Sequence, residues 1–294
     1  MNDRTRRTSL AASLLLVATS VISAPLSLQA QSGQGGPRVD STRQAQRLDT
    51  EGAHPAARAI VQRLIETAPD PAAKAASQRR MAISYGFEGN CAKAVEYEEM
   101  VIGYWVTREA SEPQNAFYQQ GEMANEAARL CIDAGDLDTA ERMYRRGSSV
   151  GLKEPEPKTH PKSLWDYRLA HALARLAARR GNASEARHQV DEARRILAAD
   201  SAMAPAQSRY LPYLAGYVAL YTGDLKTAEA ELIKATELNP SDPFMQALLA
   251  MTYEKTGQRE QATAHYQKAY DLATGHNPPA AFSRPFARRK LGMP

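Results

Sequence analysis

Residues 209–276 contain an internal repeat with a period of 34 residues. Both copies open with an apolar pattern of helical spacing and then reach a glycine, Gly223 in the first copy and Gly257 in the second. An alanine follows each glycine five residues later, at Ala228 and Ala262. A repeat this short cannot bury its own apolar face, so several copies have to stack on one another. The period therefore restricts the fold more than any other feature of the sequence.

Further positions recur in the same register. Each copy has a small residue seven positions before the glycine, and a bulky residue and a second alanine after the first alanine: Gly216, Leu232 and Ala235, then Ala250, Tyr266 and Ala269. The first copy ends in Asn239-Pro240. The pattern resembles the tetratricopeptide repeat, in which two antiparallel helices form a hairpin. Small residues let the helices approach where they cross, the glycine permits the turn, and the proline ends the second helix.

The same spacing of small residue, glycine and alanine occurs four more times upstream. It is found at Ala45–Gly52–Ala57, Ala82–Gly89–Ala94, Ala128–Gly135–Ala140 and Ala174–Gly181–Ala186. We therefore predict an all-α, right-handed superhelical solenoid of about six tetratricopeptide-like helix hairpins over residues 38–276. The predicted repeats span residues 38–71, 75–108, 121–154, 167–200, 209–242 and 243–276. Two glycine-to-glycine spacings of 46 residues imply extended helices or inserted loops at residues 109–120 and 155–166.

The first thirty residues resemble a secretory signal peptide. Three arginines within the first seven residues precede an apolar run, residues 10–22, that is too short to span a bilayer comfortably. The tripeptide LQA at residues 28–30 fits a cleavage site, and residues 31–37 (QSGQGGP) form a flexible linker. We expect a periplasmic or secreted protein without a membrane span after cleavage. The general secretory route is favoured, with twin-arginine export and an uncleaved anchor as alternatives.

The net charge of +4 is unevenly distributed along the chain. Residues 1–30 carry +2 and residues 277–294 carry +4, which leaves −2 for the repeat region. The pI of about 9.0 therefore does not indicate a nucleic-acid-binding protein, and we expect none. The basic segment 277–294 is predicted to form a cap whose Phe282, Phe286 and Leu291 cover the open edge of the last repeat. Binding of a membrane surface or a partner by its basic residues is the alternative.

Cys91 and Cys131 are the two cysteines of the chain. Cys91 falls at the start of the second helix of one predicted hairpin, and Cys131 falls late in the first helix of the next. Because these helices are neighbours, an exported protein could join them by a disulfide. Two buried free thiols are the alternative. A redox function is not expected, since the sequence has no C-x-x-C.

The sequence contains no recognisable catalytic or metal-binding motif. Its six histidines do not form H-E-x-x-H or another metal-ligand spacing, and G-x-S-x-G, P-loop and G-x-G-x-x-G sequences are absent. His188 and Glu192 lie one helical turn apart, but such a pair is usually solvated. We therefore expect no enzymatic activity, no cofactor and no metal site.

The resemblance implies that the first helix of each hairpin lines a concave face. Residues ten and six positions before each turn glycine are expected to point into it. The predicted partner-binding residues at these positions are Arg79, Asn125, Arg129, His171, Arg175, Tyr213 and Tyr217. Arginine can bind a carboxylate through two hydrogen bonds, and arginine and aromatic residues often anchor partners. Tyrosines at this spacing also pack between helices. A structural function is therefore an equal alternative for Tyr213 and Tyr217, and likewise for Arg129 and Arg175.

Together these features favour an exported, non-enzymatic scaffold that binds a protein or peptide in its concave groove. The alternative is an envelope assembly factor that binds polysaccharide or components of outer-membrane machinery. In that case the tyrosines would stack on sugar rings and the arginines would hold acidic groups. Some tetratricopeptide repeat proteins bind acidic C-terminal motifs through a lysine–asparagine clamp. This chain does not match that clamp, because Ile83 and Glu126 stand at two of its positions.

Overall fold

The computed structural model describes residues 36–294, which belong to one compact unit. The predicted signal peptide, residues 1–30, and most of the predicted linker lie outside the described residues. Within residues 36–294 every regular element is helical, and none of these helices has the length and apolarity needed to cross a membrane. The α-helices are α1 Pro37–Glu51, α2 His54–Glu66, α3 Pro71–Phe87, α4 Cys91–Val106, α5 Pro113–Ala134, α6 Leu137–Gly151, α7 Lys162–Arg179, α8 Ala183–Ala199, α9 Ala204–Gln207, α10 Leu211–Thr222, α11 Leu225–Leu238, α12 Pro243–Lys255, α13 Arg259–Leu272 and α14 Pro278–Lys290.

Within the described chain, the helices pack as six hairpins. The pairs are α1–α2, α3–α4, α5–α6, α7–α8, α10–α11 and α12–α13. The turn of every pair contains a glycine with positive φ, as the repeat spacing predicts: Gly52, Gly89, Gly135, Gly181, Gly223 and Gly257. Glycine adopts this left-handed conformation without the steric cost that a side chain would add. The predicted all-α hairpin solenoid is therefore confirmed.

Side chains directly after the turn glycines explain where the second helices begin. Asn90, Asp136, Asn182 and Asp224 each accept a hydrogen bond from the backbone N–H three residues later. Such a side chain satisfies an N–H group that the first turn of a helix would leave without an intrahelical partner. Glycine thus ends one helix and the following Asn or Asp starts the next.

The helix crossings explain why small residues recur. At most 5% of the surface of each crossing alanine is exposed: Ala45, Ala57, Ala82, Ala94, Ala128, Ala140, Ala174, Ala186, Ala228, Ala250 and Ala262. Gly216 takes the equivalent position in the fifth hairpin, where an added Cβ would lie 2.6 Å from Cγ of Leu232. Larger side chains at these positions would force the paired helices apart.

The two long glycine spacings have different structural causes. Residues 113–120 extend the first helix of the third hairpin, so α5 is 22 residues long. Residues 152–161 form a loop around the buried carboxylate of Glu154, which accepts hydrogen bonds from the backbone N–H groups of Thr159 and His160. The imidazole of His160 stacks on the ring of Tyr118, with the centroids 3.8 Å apart. One predicted insert is therefore helix and the other is an ordered loop.

Cys91 and Cys131 form a disulfide that joins α4 to α5. The sulfur atoms are 2.05 Å apart and the two Cα atoms are 4.7 Å apart. Because α4 and α5 belong to successive hairpins, the bond links the second hairpin to the third. A disulfide that closes a loop of this length typically contributes about 2–5 kcal/mol to the free energy of unfolding.

Helix α14, within the basic segment, packs against the last hairpin. Phe282, Phe286 and Leu291 pack against the apolar core of the last two hairpins. The ring centroid of Phe282 lies 5.0 Å from that of Phe244, and the ring centroid of Phe286 lies 5.9 Å from that of Tyr266. Covering the final hairpin in this way removes an apolar face from water.

The same helix also reaches the first three hairpins, which the sequence did not indicate. Helix α14 packs against α3 and α5 as well as against α12 and α13. Arg284 donates from Nε to the carbonyl oxygen of Thr50 at 3.0 Å, and Arg288 donates to that of Glu51 at 2.7 Å. Lys290 forms an ion pair of 2.7 Å with Glu254. These basic groups therefore join the two ends of the hairpin array.

Candidate functional site on the inward face

The candidate site is the face of the array made by the first helices of the hairpins, which we call the inward face because the repeat resemblance predicts it to be concave. Helix α14 packs against three of these first helices, α3, α5 and α12, and so borders the face. Two groups of charged residues lie on or beside it; every member is on a first helix except Glu98, which lies on α4. We call Arg79, Glu98 and Glu126 the paired cluster, and Arg129, Asp133, Arg175 and Arg179 the inward cluster.

In the paired cluster, Arg79 of α3 is bound to Glu126 of α5. Its guanidinium donates two hydrogen bonds, of 2.7 and 2.6 Å, to the carboxylate. Burial alone would raise the pKa of Glu126, but the charge and hydrogen bonds of Arg79 hold that pKa below its usual value. The carboxyl of Glu98 is fully buried, and burial together with the charge of Glu126 raises its pKa well above the usual range. Arg79 therefore binds a carboxylate of its own chain and links the second and third hairpins.

Asn125 and His171 are half-buried and take part in packing. A Cβ added to Gly147 would lie 2.5 Å from Oδ1 of Asn125, which places the amide in the crossing of α5 and α6. The ring of His171 lies 5.4 Å from a tyrosine ring of α10. Burial, followed by the charges of Arg175 and Arg129, keeps the pKa of His171 well below its usual range. The imidazole is therefore neutral at physiological pH.

Arg175 is a buried guanidinium, with 8% of the residue exposed. One terminal nitrogen donates to the hydroxyl oxygen of Tyr144 at 2.8 Å, and the other donates to that of Tyr213 at 3.3 Å. Within residues 36–294, its Nε has no hydrogen-bond partner and its side chain forms no ion pair. Buried charges are normally compensated by an opposite charge, so Arg175 departs from the usual rule.

Two further arginines of the inward cluster are more accessible. Arg129 is exposed, and its side chain has neither a hydrogen bond nor an ion pair with any residue of the 36–294 segment. Arg179 is half-buried; it donates to the hydroxyl of Tyr217 at 3.5 Å, and its Cζ lies 4.9 Å from the ring centroid of Tyr221. Both guanidiniums thus keep most of their hydrogen-bonding capacity for other groups.

Asp133, like Arg179, lies two residues before a turn glycine, a position that the repeat register did not indicate. Burial raises its pKa to about 7, although the charges of Arg175, Arg129 and Arg179 act in the opposite direction. Its position four residues after Arg129 on α5 was the available signal, because that spacing places two side chains on one helix face. It lines a cavity of about 440 Å³ between α14 and the ends of α3 and α5.

Tyr213 and Tyr217 belong to the apolar core, with 8% and 1% of each residue exposed. Both pack against Phe244 of α12, which in turn contacts Phe282 of α14. An aromatic row therefore runs from α10 through α12 to α14. The two tyrosine rings present little open face on which a sugar could stack, while their hydroxyl groups face arginines of the inward cluster.

The inward cluster has three guanidinium groups and one carboxyl group. The three guanidiniums and the adjoining tyrosine hydroxyls provide many hydrogen-bond donors, and the charges of the three guanidiniums act on the carboxyl of Asp133. Guanidinium groups bind carboxylates and phosphates through short, charge-assisted hydrogen bonds. Among residues 36–294, no group of three or more His, Cys, Asp or Glu side chains is arranged to hold a metal ion.

Comparison with known families supports the repeat assignment. The tetratricopeptide repeat family model matches residues 213–242 and 245–276, which cover most of the fifth and sixth hairpins. These are the residues whose 34-residue period led to the prediction. The match supports a tetratricopeptide repeat protein. Comparison with curated proteins gave no match.

Proposed function

We propose that this protein is an exported, non-enzymatic scaffold that binds a protein or peptide partner on the inward face of its hairpins. The tetratricopeptide repeat match favours a protein-interaction scaffold. The observation that carries the proposal is the exposed guanidinium of Arg129, which has no ion pair or hydrogen bond within the described chain. Arginine is enriched among the interface residues that dominate binding energy.

Export is supported by the amino-acid sequence of residues 1–30, with its basic start, apolar run and cleavage-like tripeptide. A disulfide between Cys91 and Cys131 fits an oxidising compartment. We expect the intact mass of the protein from a periplasmic or secreted fraction to correspond to a chain that begins at Gln31. A full-length chain recovered from the membrane fraction would contradict cleavage and would favour the uncleaved anchor.

The binding site is tested by affinity capture from an envelope extract. The wild-type protein is compared with Arg129→Glu and with Arg187→Glu as a matched control. Arg187 is also exposed, but it lies on α8, the second helix of its hairpin, and so away from the inward face. We expect a partner that is retained by the wild type and by Arg187→Glu and is lost from Arg129→Glu. Far-ultraviolet circular dichroism checks that both variants keep the full helix content.

Two outcomes contradict the proposed site. A partner retained equally by Arg129→Glu would place binding elsewhere, for example at loop 152–161. A partner lost from both variants would indicate a general effect of net charge and not a contact at Arg129. If the captured partner is a component of polysaccharide or outer-membrane machinery, the envelope assembly function becomes the more specific description.

A further inference from the structure

The two ends of the hairpin array meet at a buried carboxylate, that of Asp49 near the end of α1. Nδ1 of His54 lies 3.0 Å from one carboxylate oxygen, and Nε2 of His276 lies 2.9 Å from the other. The hydroxyl of Ser84 on α3 also donates to the carboxylate, at 2.8 Å. His276 follows α13 and lies two residues before the start of α14. The carboxylate therefore joins the first hairpin to the C-terminal end of the array.

Both imidazoles are nearly enclosed. The side chain of His54 is 14% exposed and that of His276 is 10% exposed. Each ring lies against the ring of Phe87, with a centroid separation of 5.8 Å. Burial alone would raise the pKa of Asp49, but hydrogen bonds with His276 and His54 hold that pKa below its usual value. The stabilising contribution of this carboxylate is therefore present above about pH 4 and is lost as the pH falls further.

The cluster can gain a counter-charge only at its histidines. A buried carboxylate is most stable when a positive charge compensates it. Two neutral imidazoles supply N–H donors to the carboxylate but no such charge. Histidine ordinarily changes its charge between pH 5 and pH 8, and protonation of one imidazole here creates a hydrogen-bonded ion pair. The contact between the two ends should therefore strengthen as the pH falls through this range.

Ion pairs balance the charged side chains that surround the cluster on the first three helices. Arg47 and Glu51 of α1 are 3.9 Å apart, and Arg58 of α2 lies 2.8 Å from Glu88 of α3. These four charges cancel in pairs. They leave the histidines as the groups that respond to pH on this side of the contact.

The remaining charged neighbours come from α14 and α5. Arg284 and Arg288 donate to the carbonyl oxygens of the last two residues of α1. Arg289 and Asp133 line the same cavity as His54. The positive charges of the arginines oppose a second protonated imidazole, so the expected change is the gain of one positive charge. The pKa of Asp133 is raised to about 7, so this residue titrates in the same range and needs its own control.

We propose that Asp49, His54 and His276 form a pH-dependent latch, which holds the first hairpin to the C-terminal end of the array more firmly at about pH 5.5 than at about pH 8. Gln46 also donates to the carbonyl oxygen of Thr274 at 2.9 Å, a contact that does not titrate. The latch therefore changes how firmly the array is closed and does not by itself open it. The proposal goes beyond the proposed function and does not depend on a partner.

Amide hydrogen exchange, followed by mass spectrometry, measures how firmly the latch holds. Helix α1 reports on the latch because it contains Asp49, and α7 serves as the internal reference because it does not pack against α14. Protection is corrected for the intrinsic pH dependence of exchange. In the wild type, we expect the ratio of α1 protection to α7 protection to fall by about threefold to tenfold from pH 5.5 to pH 8.

Non-titrating variants assign the effect to the latch. Glutamine keeps an N–H donor but cannot gain a charge. His276→Gln should therefore reduce the fall in the ratio, and the double variant His54→Gln, His276→Gln should abolish it. The controls are His188→Gln, at an exposed position of α8, and Asp133→Asn; both should keep the fall seen in the wild type.

Three results would each overturn the latch. They are a wild-type ratio that stays within about twofold between the two pH values, a double variant with the full wild-type fall, and loss of the fall in either control. Far-ultraviolet circular dichroism at both pH values checks the helix content of every variant. If the double variant does not fold, the wild type and His276→Gln still decide the proposal, because a wild-type fall that His276→Gln leaves unchanged would contradict it.

Discussion

The paired cluster and the inward cluster use the same types of residue on neighbouring helices, yet their charges are balanced differently. Helix α5 contributes to both, through Glu126 in one and Arg129 in the other, only three residues apart. In the paired cluster, Arg79 meets Glu126 at 2.6 Å. In the inward cluster, no arginine forms an ion pair within the described chain. The half-buried ion pair of Arg79 and Glu126 links two hairpins, whereas the arginines of the inward cluster keep hydrogen-bond donors available for other groups.

The largest effect on stability is expected for Arg79→Met. The substitution leaves Glu126 buried beside Glu98 without a counter-charge. We expect the free energy of unfolding to fall by about 2–3 kcal/mol, less than for a fully buried pair because 36% of the Arg79 side chain is exposed. Urea denaturation at pH 7 measures the change. The loss should shrink as the pH falls below about 4.5, where the carboxylate becomes protonated in the unfolded chain. A loss below about 0.5 kcal/mol would contradict a structural function of the pair.

Asp133→Asn should change how stability depends on pH. The pKa of Asp133 in the folded protein is raised to about 7 from its usual value of 3.8. The folded state therefore holds its proton more tightly, and this contribution to stability is lost as the pH rises from about 4 to about 7. The asparagine variant cannot ionise. We expect the stability of Asp133→Asn relative to the wild type to rise by about 1–2 kcal/mol between pH 5 and pH 8. If the stability advantage of Asp133→Asn over the wild type were larger at pH 5 than at pH 8, the raised pKa would be contradicted.

A smaller effect is expected for Arg175→Met, the same exchange as at Arg79 but in the inward cluster. Removal of a buried charge that has no ion pair within residues 36–294 relieves its desolvation, while the hydroxyls of Tyr144 and Tyr213 lose a donor. These effects oppose each other, so we expect the free energy of unfolding to stay within about 1 kcal/mol of wild type. Urea denaturation of both methionine variants in parallel gives the comparison directly. If Arg79→Met and Arg175→Met lowered the free energy of unfolding equally, the distinction between the two clusters would be wrong.

The smallest effect on stability is expected for Arg129→Met, because the side chain is exposed and has no partner within the described residues. The melting temperature should match that of the wild type, while the partner captured from the envelope extract is lost. A clear drop in melting temperature would show that Arg129 supports the fold, which would weaken its assignment as a binding residue.

The sequence predicted the hairpins well because their signals are local. A turn glycine and two crossing alanines lie within 13 residues of one another, and each acts on the two helices beside it. The sequence also pointed to packing of residues 277–294 on the last repeat, because Phe282 and Phe286 are apolar residues close to its open edge. In contrast, the sequence could not tell an extended helix from a loop in residues 109–120, because both satisfy the same glycine spacing.

The candidate site was harder to predict from the sequence. The repeat register placed Arg79 and Arg129 on the same face. Only the tertiary structure shows that Glu126 binds Arg79 and not Arg129. The partner of Arg79 lies 47 residues away on another hairpin, so its choice depends on how the hairpins stack. Tyr213 and Tyr217 were equally consistent with a binding surface or with packing. Their contacts with Phe244, and through it with α14, bury them.

The sequence by itself determined the helical hairpins, their turns and the alanine crossings, because these follow from short-range periodicity and from the conformational freedom of glycine. The tertiary structure decided which arginines are paired, that Asp133 belongs with Arg129, and that α14 joins the two ends of the array. Arg284 and Thr50 are separated by 234 residues, so no local pattern could reveal their contact. It arises because the stacking of successive hairpins, accumulated over the whole chain, brings the last helix back to the first hairpin.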